Sequence, residues 1–150
     1  MTPALIIFAL FLFLTAYNAG VHLTLHIQHY AVYPLVGREG YAAYMEAQNR
    51  AAKVPAVLPG LSLFLVAVAL VAHPPSFVSP VEAWLALALN VVALFSTFRW
   101  QVPLQGEMAK SGWDERKFEL LMSTNRIRPV AFLLKAGLAI EITMRALIAR

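Results

Sequence analysis

The sequence predicts an all-α fold: an integral membrane four-helix bundle, with an interfacial amphipathic helix after the first span and a short helix before the fourth. Three observations carry this. The 150 residues are 60% hydrophobic and only 13% charged, whereas about a quarter of a soluble domain is charged. The apolar residues gather into four runs, each close to the roughly 20 residues needed to cross a hydrocarbon core of about 30 Å. Between the runs stand a proline-rich break and polar, amphipathic connections. Residues 1–150 therefore form a single helical domain with no room for a separate soluble one.

The first span covers residues 4–28. Thr2 supplies an N-cap hydroxyl and Pro3 occupies the first helical position. The run continues at least to His29, with Pro34 as the stop. It lacks a basic leader and "AYNAG" is a poor cleavage site, so a retained helix is expected rather than a signal peptide. "GREGYAAYMEAQNRAAK", residues 37–53, is too polar to span. Tyr41, Tyr44, Met45 and Gln48 share one side of it, as in an interfacial helix or an extension of the next span. The second span, 55–72, opens on Pro55 and carries Pro59 in its first turn. "AHPPSFVSP" then breaks the chain, and "SPVE" is a capping box that starts the third span, 80–98. A polar connection, 99–128, holds a short helix at "DERKFELLM", 114–122. The fourth span covers 129–148.

Charge placement sets an orientation. The first and third connections hold Arg38, Arg50, Lys53, Arg99, Lys110, Arg116, Lys117, Arg126 and Arg128, while the second connection and the N-terminus hold no Lys or Arg. The positive-inside rule then puts both long connections in the cytoplasm and both termini outside, in a bacterial inner membrane. The net charge of +4 is spread along the connections without a basic run, so nucleic acid is not an expected partner. Membrane lipid, an apolar small molecule and a second copy of the chain are. The chain contains no cysteine, which excludes disulfides, thiolate metal sites and cysteine nucleophiles.

The chemistry sits in "TAYNAGVHLTLHIQHY", residues 15–30. At about 100° per residue, Thr15, Asn18, His22, His26 and His29 fall within an arc of roughly 80° on a continuous α-helix. Polar groups are costly in lipid, so the stripe is expected to face the bundle interior. Imidazoles one turn apart can hold one ion, making His22, His26 and His29 candidate ligands for iron, copper or zinc. One of them can instead be an axial haem ligand, or move protons for an organic ligand. The plain alternative is interhelical hydrogen bonding without a cofactor.

Several groups share the end of the bundle where the stripe finishes. Arg99, Gln101 and Glu107 follow the third span, and "STNRIRP" precedes the fourth. Asn125 suits an N-cap. Arg126 and Arg128 suit lipid phosphates, or one of them faces inward to hold an oxyanion. Tyr41, Tyr44 and Glu46 are candidates for a lid. Lys135 is expected to snorkel to the interface, Glu141 and Arg145 to pair at i, i+4, and Asn90 to donate a hydrogen bond between helices. No glycine-rich phosphate loop, HExxH or inward Glu-x-x-His pair is present.

Late histidines in the first helix, "YPLVG" after it, a proline-started second helix and "NRIRP" opening the fourth together resemble the anthrone-oxygenase-like family of small four-helix membrane proteins. The resemblance covers most of the chain. It implies an oxygenase acting on aromatic polyketides without an obvious cofactor motif, with His26, Asn125 and Arg128 in its site. Three histidines exceed what the family implies, which keeps a metal or haem open. The expected function is a small membrane oxidoreductase or oxygenase that binds an apolar aromatic or quinone-like substrate in a histidine-lined pocket open to the cytoplasmic side. The alternative is a non-enzymatic ligand carrier, metal binder or assembly subunit.

Overall fold

The computed structural model describes residues 2–148, and among them every regular element is helical. Helix α1 (Pro3–Thr24) is capped by Thr2, whose hydroxyl accepts from the Leu5 amide at 3.4 Å. It runs without a break into a π-helical turn, Leu25–His29, and a tighter 3-10 segment, Tyr30–Leu35. Helix α2 (Tyr41–Ala51) follows, then a second π-helical turn, Lys53–Val57, that opens α3 (Leu58–Ala72). Helix α4 (Pro80–Ser96) begins on the expected capping box: Ser79 and Glu82 bond reciprocally. A third π-helical turn, Thr97–Gln101, leads directly into α5 (Val102–Ser111). Gly112, at φ +82°, reverses the chain, a conformation that glycine adopts without a Cβ penalty. Asp114 caps α6 (Glu115–Asn125), and α7 (Ile127–Ile148) completes the described chain.

The π-helical turns have a local cause. Proline has no N–H to give the carbonyl four residues back, and its ring crowds that carbonyl. Pro59 and Pro103 lie just beyond two of the wide turns, and Pro34 lies in the 3-10 segment beyond the other. Each helix accommodates the mismatch by opening to i−5 bonding, such as Val102 N–H to Thr97 O and Leu58 N–H to Lys53 O. The Pro55 carbonyl, which Pro59 cannot use, accepts instead from the Tyr17 hydroxyl at 3.1 Å.

Packing arranges α1, α3, α4 and α7 in a ring, with α1 against α3 and α7, and α4 against α3 and α7. Helix α2 packs on α5, and α5 on α6, as a cap over one end. Two cores result. The inner one combines Phe8, Phe11, Leu63, Leu70 and Phe132 with Ala83, Ala86, Ala93 and Ala139, small residues that let helices approach closely. The capping core is aromatic: Tyr30, Tyr33 and Tyr41 with Met45, Met108 and Leu121, flanked by Trp113 and Phe118. Tyr33 meets Tyr30, Tyr41 and Tyr44 edge-to-face at ring separations of 5.1, 6.2 and 5.8 Å.

Among the described residues, three helices are long and apolar enough to cross a membrane: Pro3–Leu35, Lys53–Ala72 and Pro80–Ser111. The ring's outer surface carries large apolar side chains in the open, among them Phe13, Leu65, Trp84, Phe95 and Leu134. The expectation of a fourth apolar span meets a different helix. Helix α7 has 22 residues but includes Arg128, Lys135, Glu141 and Arg145, and its charges are largely met by protein. Lys135 does not snorkel: it is fully buried, bonded to Asn90 Oδ1, with its ammonium 4.7 Å from the Phe132 ring centre. Asn90 is therefore an acceptor there, not a donor, and its Nδ2 has no partner. Arg145 does pair with Glu141, at 3.5 Å, and also reaches across to Glu82 of α4. The third helix likewise does not stop at residue 98 but continues to Ser111.

Candidate functional site

Between the two cores lies a buried polar cluster, placed there by the wide turns. The first turn holds His26, the third holds Gln101, and the α6–α7 junction holds Asn125 and Arg128. Arg128 is its centre. The side chain is buried, with Nε donating to Asn125 Oδ1 at 3.0 Å. Nη2 donates to Asn125 Oδ1, to Tyr30 Oη at 3.0 Å and to Gln101 Oε1 at 3.1 Å. Since Asn125 turns its oxygen to Arg128, its Nδ2 faces His26 Nδ1, 2.8 Å away. An amide nitrogen only donates, so Nδ1 accepts and the imidazole N–H lies on Nε2. Gln105 Nε2 donates to Tyr30 Oη at 3.0 Å, and Gln101 Nε2 to Thr124 Oγ1 at 2.9 Å.

The cluster thus brings His26, Asn125 and Arg128 together. Asn125 is not an N-cap: α6 ends on it, and its amide is used in the cluster. Arg128 is the inward arginine, while Arg126 is exposed. Three members escaped the sequence reading. Tyr30, Gln105 and Thr124 gave no signal beyond lying near the same end. All three acceptors around the guanidinium are neutral, and no carboxylate lies within ion-pair distance of Arg128 among the described residues.

The three histidines do not share a point. The α-helix ends at Thr24, and the π-helical turn after it changes the angular step, so the stripe loses phase between His22 and His29. His22 is buried and stacks flat on Phe132, at 4.6 Å and 6° between planes. His26 turns to Asn125. His29 is half-buried, packed on Tyr30 and edge-on to Tyr33 at 5.3 Å, with its Nε2 sealed away and unpartnered. No group of three His, Asp or Glu able to hold a metal ion occurs among the described residues. The His22/His26/His29 metal set is therefore not assembled. Among the lid candidates, Tyr41 is buried under the cap and Tyr44 half-buried, but Glu46 faces outward and pairs with Arg50 at 3.6 Å. Burial holds the Tyr41 and Tyr44 hydroxyls above the ordinary phenol range.

Two hollows border this region. One, of about 450 Å³, lies between α1 and the α2–α3 elbow and is lined by Gly20, Thr24, His29, Gln48, Ala52 and Pro55 among others. It is large but has little chemistry in reach, since His29 Nε2 is covered. The other, of about 100 Å³, lies inside the ring between His22, Arg128 and Phe132 on one side and Ala56, Gly60, Leu94, Thr97 and Phe98 on the other. Here an imidazole and a guanidinium face an otherwise apolar space. Arg128 Nη1 takes no part in the bonds above, and no protein group hydrogen-bonds to the His22 ring among the described residues. At about 100 Å³ this hollow is well below the roughly 300–1,000 Å³ of an ordinary ligand pocket, so a haem does not fit against His22.

No family model matches the chain, and no curated protein or solved structure matches it. What the site can do rests on its own atoms.

Proposed function

We propose that the chain is an integral membrane protein in which α7 crosses beside the three apolar helices, with the capped end in the cytoplasm and both termini outside. Its function is that of a small membrane oxidoreductase that uses dioxygen as the oxidant. It binds an apolar aromatic or quinone-like molecule by one oxygen in the hollow between His22 and Arg128. The single observation that carries this is Arg128: a buried guanidinium whose bonded partners are neutral and whose remaining nitrogen, Nη1, belongs to a side chain lining that hollow. An isolated buried cation costs several kcal/mol, and an oxyanion supplied by a ligand offsets that cost.

The chemistry follows from the pairing. A neutral imidazole nitrogen accepts hydrogen bonds, so His22 suits holding a phenolic or enolic hydroxyl in place beside Arg128. Arg128 holds the oxygen anion as it forms, in surroundings where water does not screen it. The electron-rich ring is then open to oxidation by dioxygen dissolved in the bilayer. For a hydroquinone, two electrons and two protons leave the ring, giving quinone and hydrogen peroxide. The resemblance of the His26, Asn125 and "NRIRP" region to anthrone-oxygenase-like proteins supports the same reading, with His26 and Asn125 as positioning residues that orient Arg128.

The test is oxygen uptake by the detergent-purified protein given 2-methyl-1,4-naphthohydroquinone, alongside binding of the matching quinone. Uptake above the protein-free rate, lost in Arg128→Met and His22→Phe, is expected. A second reading is favoured by how fully His26, Asn125 and Arg128 satisfy one another: a non-enzymatic ligand carrier with structural histidines. Arg128-dependent binding without oxygen uptake selects the carrier, and no binding at all overturns both.

A further inference from the structure

The hollow at Arg128 opens sideways. Its walls include Leu61 and Val102, which are 39% and 50% exposed, so it reaches the outer surface between α3 and α4 rather than the capped end. Two of its wall residues, Leu94 and Phe98, also line a second space of about 570 Å³ on that outer face, completed by Phe64, Val91, Phe95 and Arg99. The inner hollow, about 100 Å³, holds an oxygen and the edge of a ring but not a whole aromatic molecule. Inner hollow and outer groove together reach the size of an ordinary ligand pocket. The inner part carries the polar groups and the outer part is nearly all apolar, the division of a molecule with an oxygenated head and a hydrocarbon tail.

Building on the function proposed above, we propose that the ligand is a tailed amphiphile. Its oxygenated ring edge enters past Leu94 and Phe98 to meet His22 and Arg128, and its hydrocarbon tail lies in the groove of Phe64, Val91 and Phe95. Entry is lateral, from the acyl-chain region, and the groove selects tailed over tail-less ligands. Lipid tails are as apolar as the groove, so the gain comes from close packing of each methylene against Phe64, Val91 and Phe95, and discrimination grows with tail length.

The experiment compares 2-methyl-1,4-naphthoquinone with the same ring bearing a 3-decyl chain. Binding to the intact protein in micelles is expressed per micellar mole fraction, which removes the tail's own partitioning. The wild type is expected to bind the tailed probe at least tenfold more tightly. Val91→Trp, which fills the groove, brings the tailed probe down to the tail-less affinity. Val92→Trp, on the neighbouring flank of α4, keeps the preference. Arg128→Met weakens both probes. Equal affinities in the wild type, with Arg128 still required, overturn the tail groove and leave the head site standing. A preference that survives Val91→Trp assigns it to bulk lipid and overturns the groove. Failure of both probes to bind overturns the head site and the groove with it.

Discussion

Arg128 and Lys135 are two buried cations on one helix, two turns apart, and they live in opposite surroundings. Arg128 donates to three neutral acceptors drawn from three other segments and borders an open hollow. Lys135 is fully buried with one polar partner, Asn90 Oδ1, and a phenyl face, and lines none of the cavities described. Phe132, between them in sequence, touches both neighbourhoods: it stacks on His22 and lies beside the Lys135 ammonium. The contrast teaches that depth of burial does not mark a site. A charge held in place by protein alone is architecture; a charge with donors to spare, facing space, is a place for something else.

The comparison can be broken by mutation. The largest effect is expected from Asn90→Leu, which strips Lys135 of its only polar partner. Lys135 is then left with no polar contact, which costs at least the roughly 1.5–3 kcal/mol of a hydrogen bond to a charged group, to be read as a lowered midpoint of reversible unfolding in detergent. Asn125→Ala comes next. It removes the acceptor of two Arg128 bonds and the donor to His26, and a hydrogen bond to a charged group contributes about 1.5–3 kcal/mol. Unlike Asn90→Leu, it also weakens binding of the naphthoquinone probe, because Arg128 loses its orientation. Replacing the whole Lys135 pair, Lys135→Met with Asn90→Leu, is expected to leave stability within about 1 kcal/mol of wild type or above it, with probe binding intact. The smallest effect belongs to Glu82→Gln at the other end. Arg145 is half exposed, so that pair is worth at most about 1 kcal/mol and weakens with salt. Equal losses of binding from the Asn90 and Asn125 variants would erase the distinction between the two cations.

Much of the helical plan was legible in the chain. Thr2-Pro3 and the Ser79–Glu82 box act through local rules, so they read correctly without the fold, whereas the short helix expected over 114–122 runs from Glu115 to Asn125 with Asp114 as its cap. Tyr41 and Met45 were placed on one face of α2 by spacing alone, and both are buried. The inward turn of Arg128 was one of two readings, and only packing decides it. The three-histidine stripe failed because it assumed 100° per residue through residues 25–29. The signal that could have corrected it was Pro34, as Pro59 and Pro103 could have for the other two wide turns. Lys135 misled for another reason: its stem is long enough to reach an interface, and nothing local says that Asn90 waits beside it. Tyr30, Gln101, Gln105 and Thr124 meet across three separate segments, a coincidence no single stretch encodes.

A π-helical turn is an α-helix with one surplus residue looped into it. Removing a single residue from within 25–29, 53–57 or 97–101 therefore lets both flanks keep their facing, while it returns the nearby proline to a carbonyl that its ring crowds. The same loss anywhere else in these rods swings everything beyond it by about 100°. The chain thus contains three spots where shortening spares the facing of the helices, and two of them carry His26 and Gln101, so that facing can outlive the polar centre.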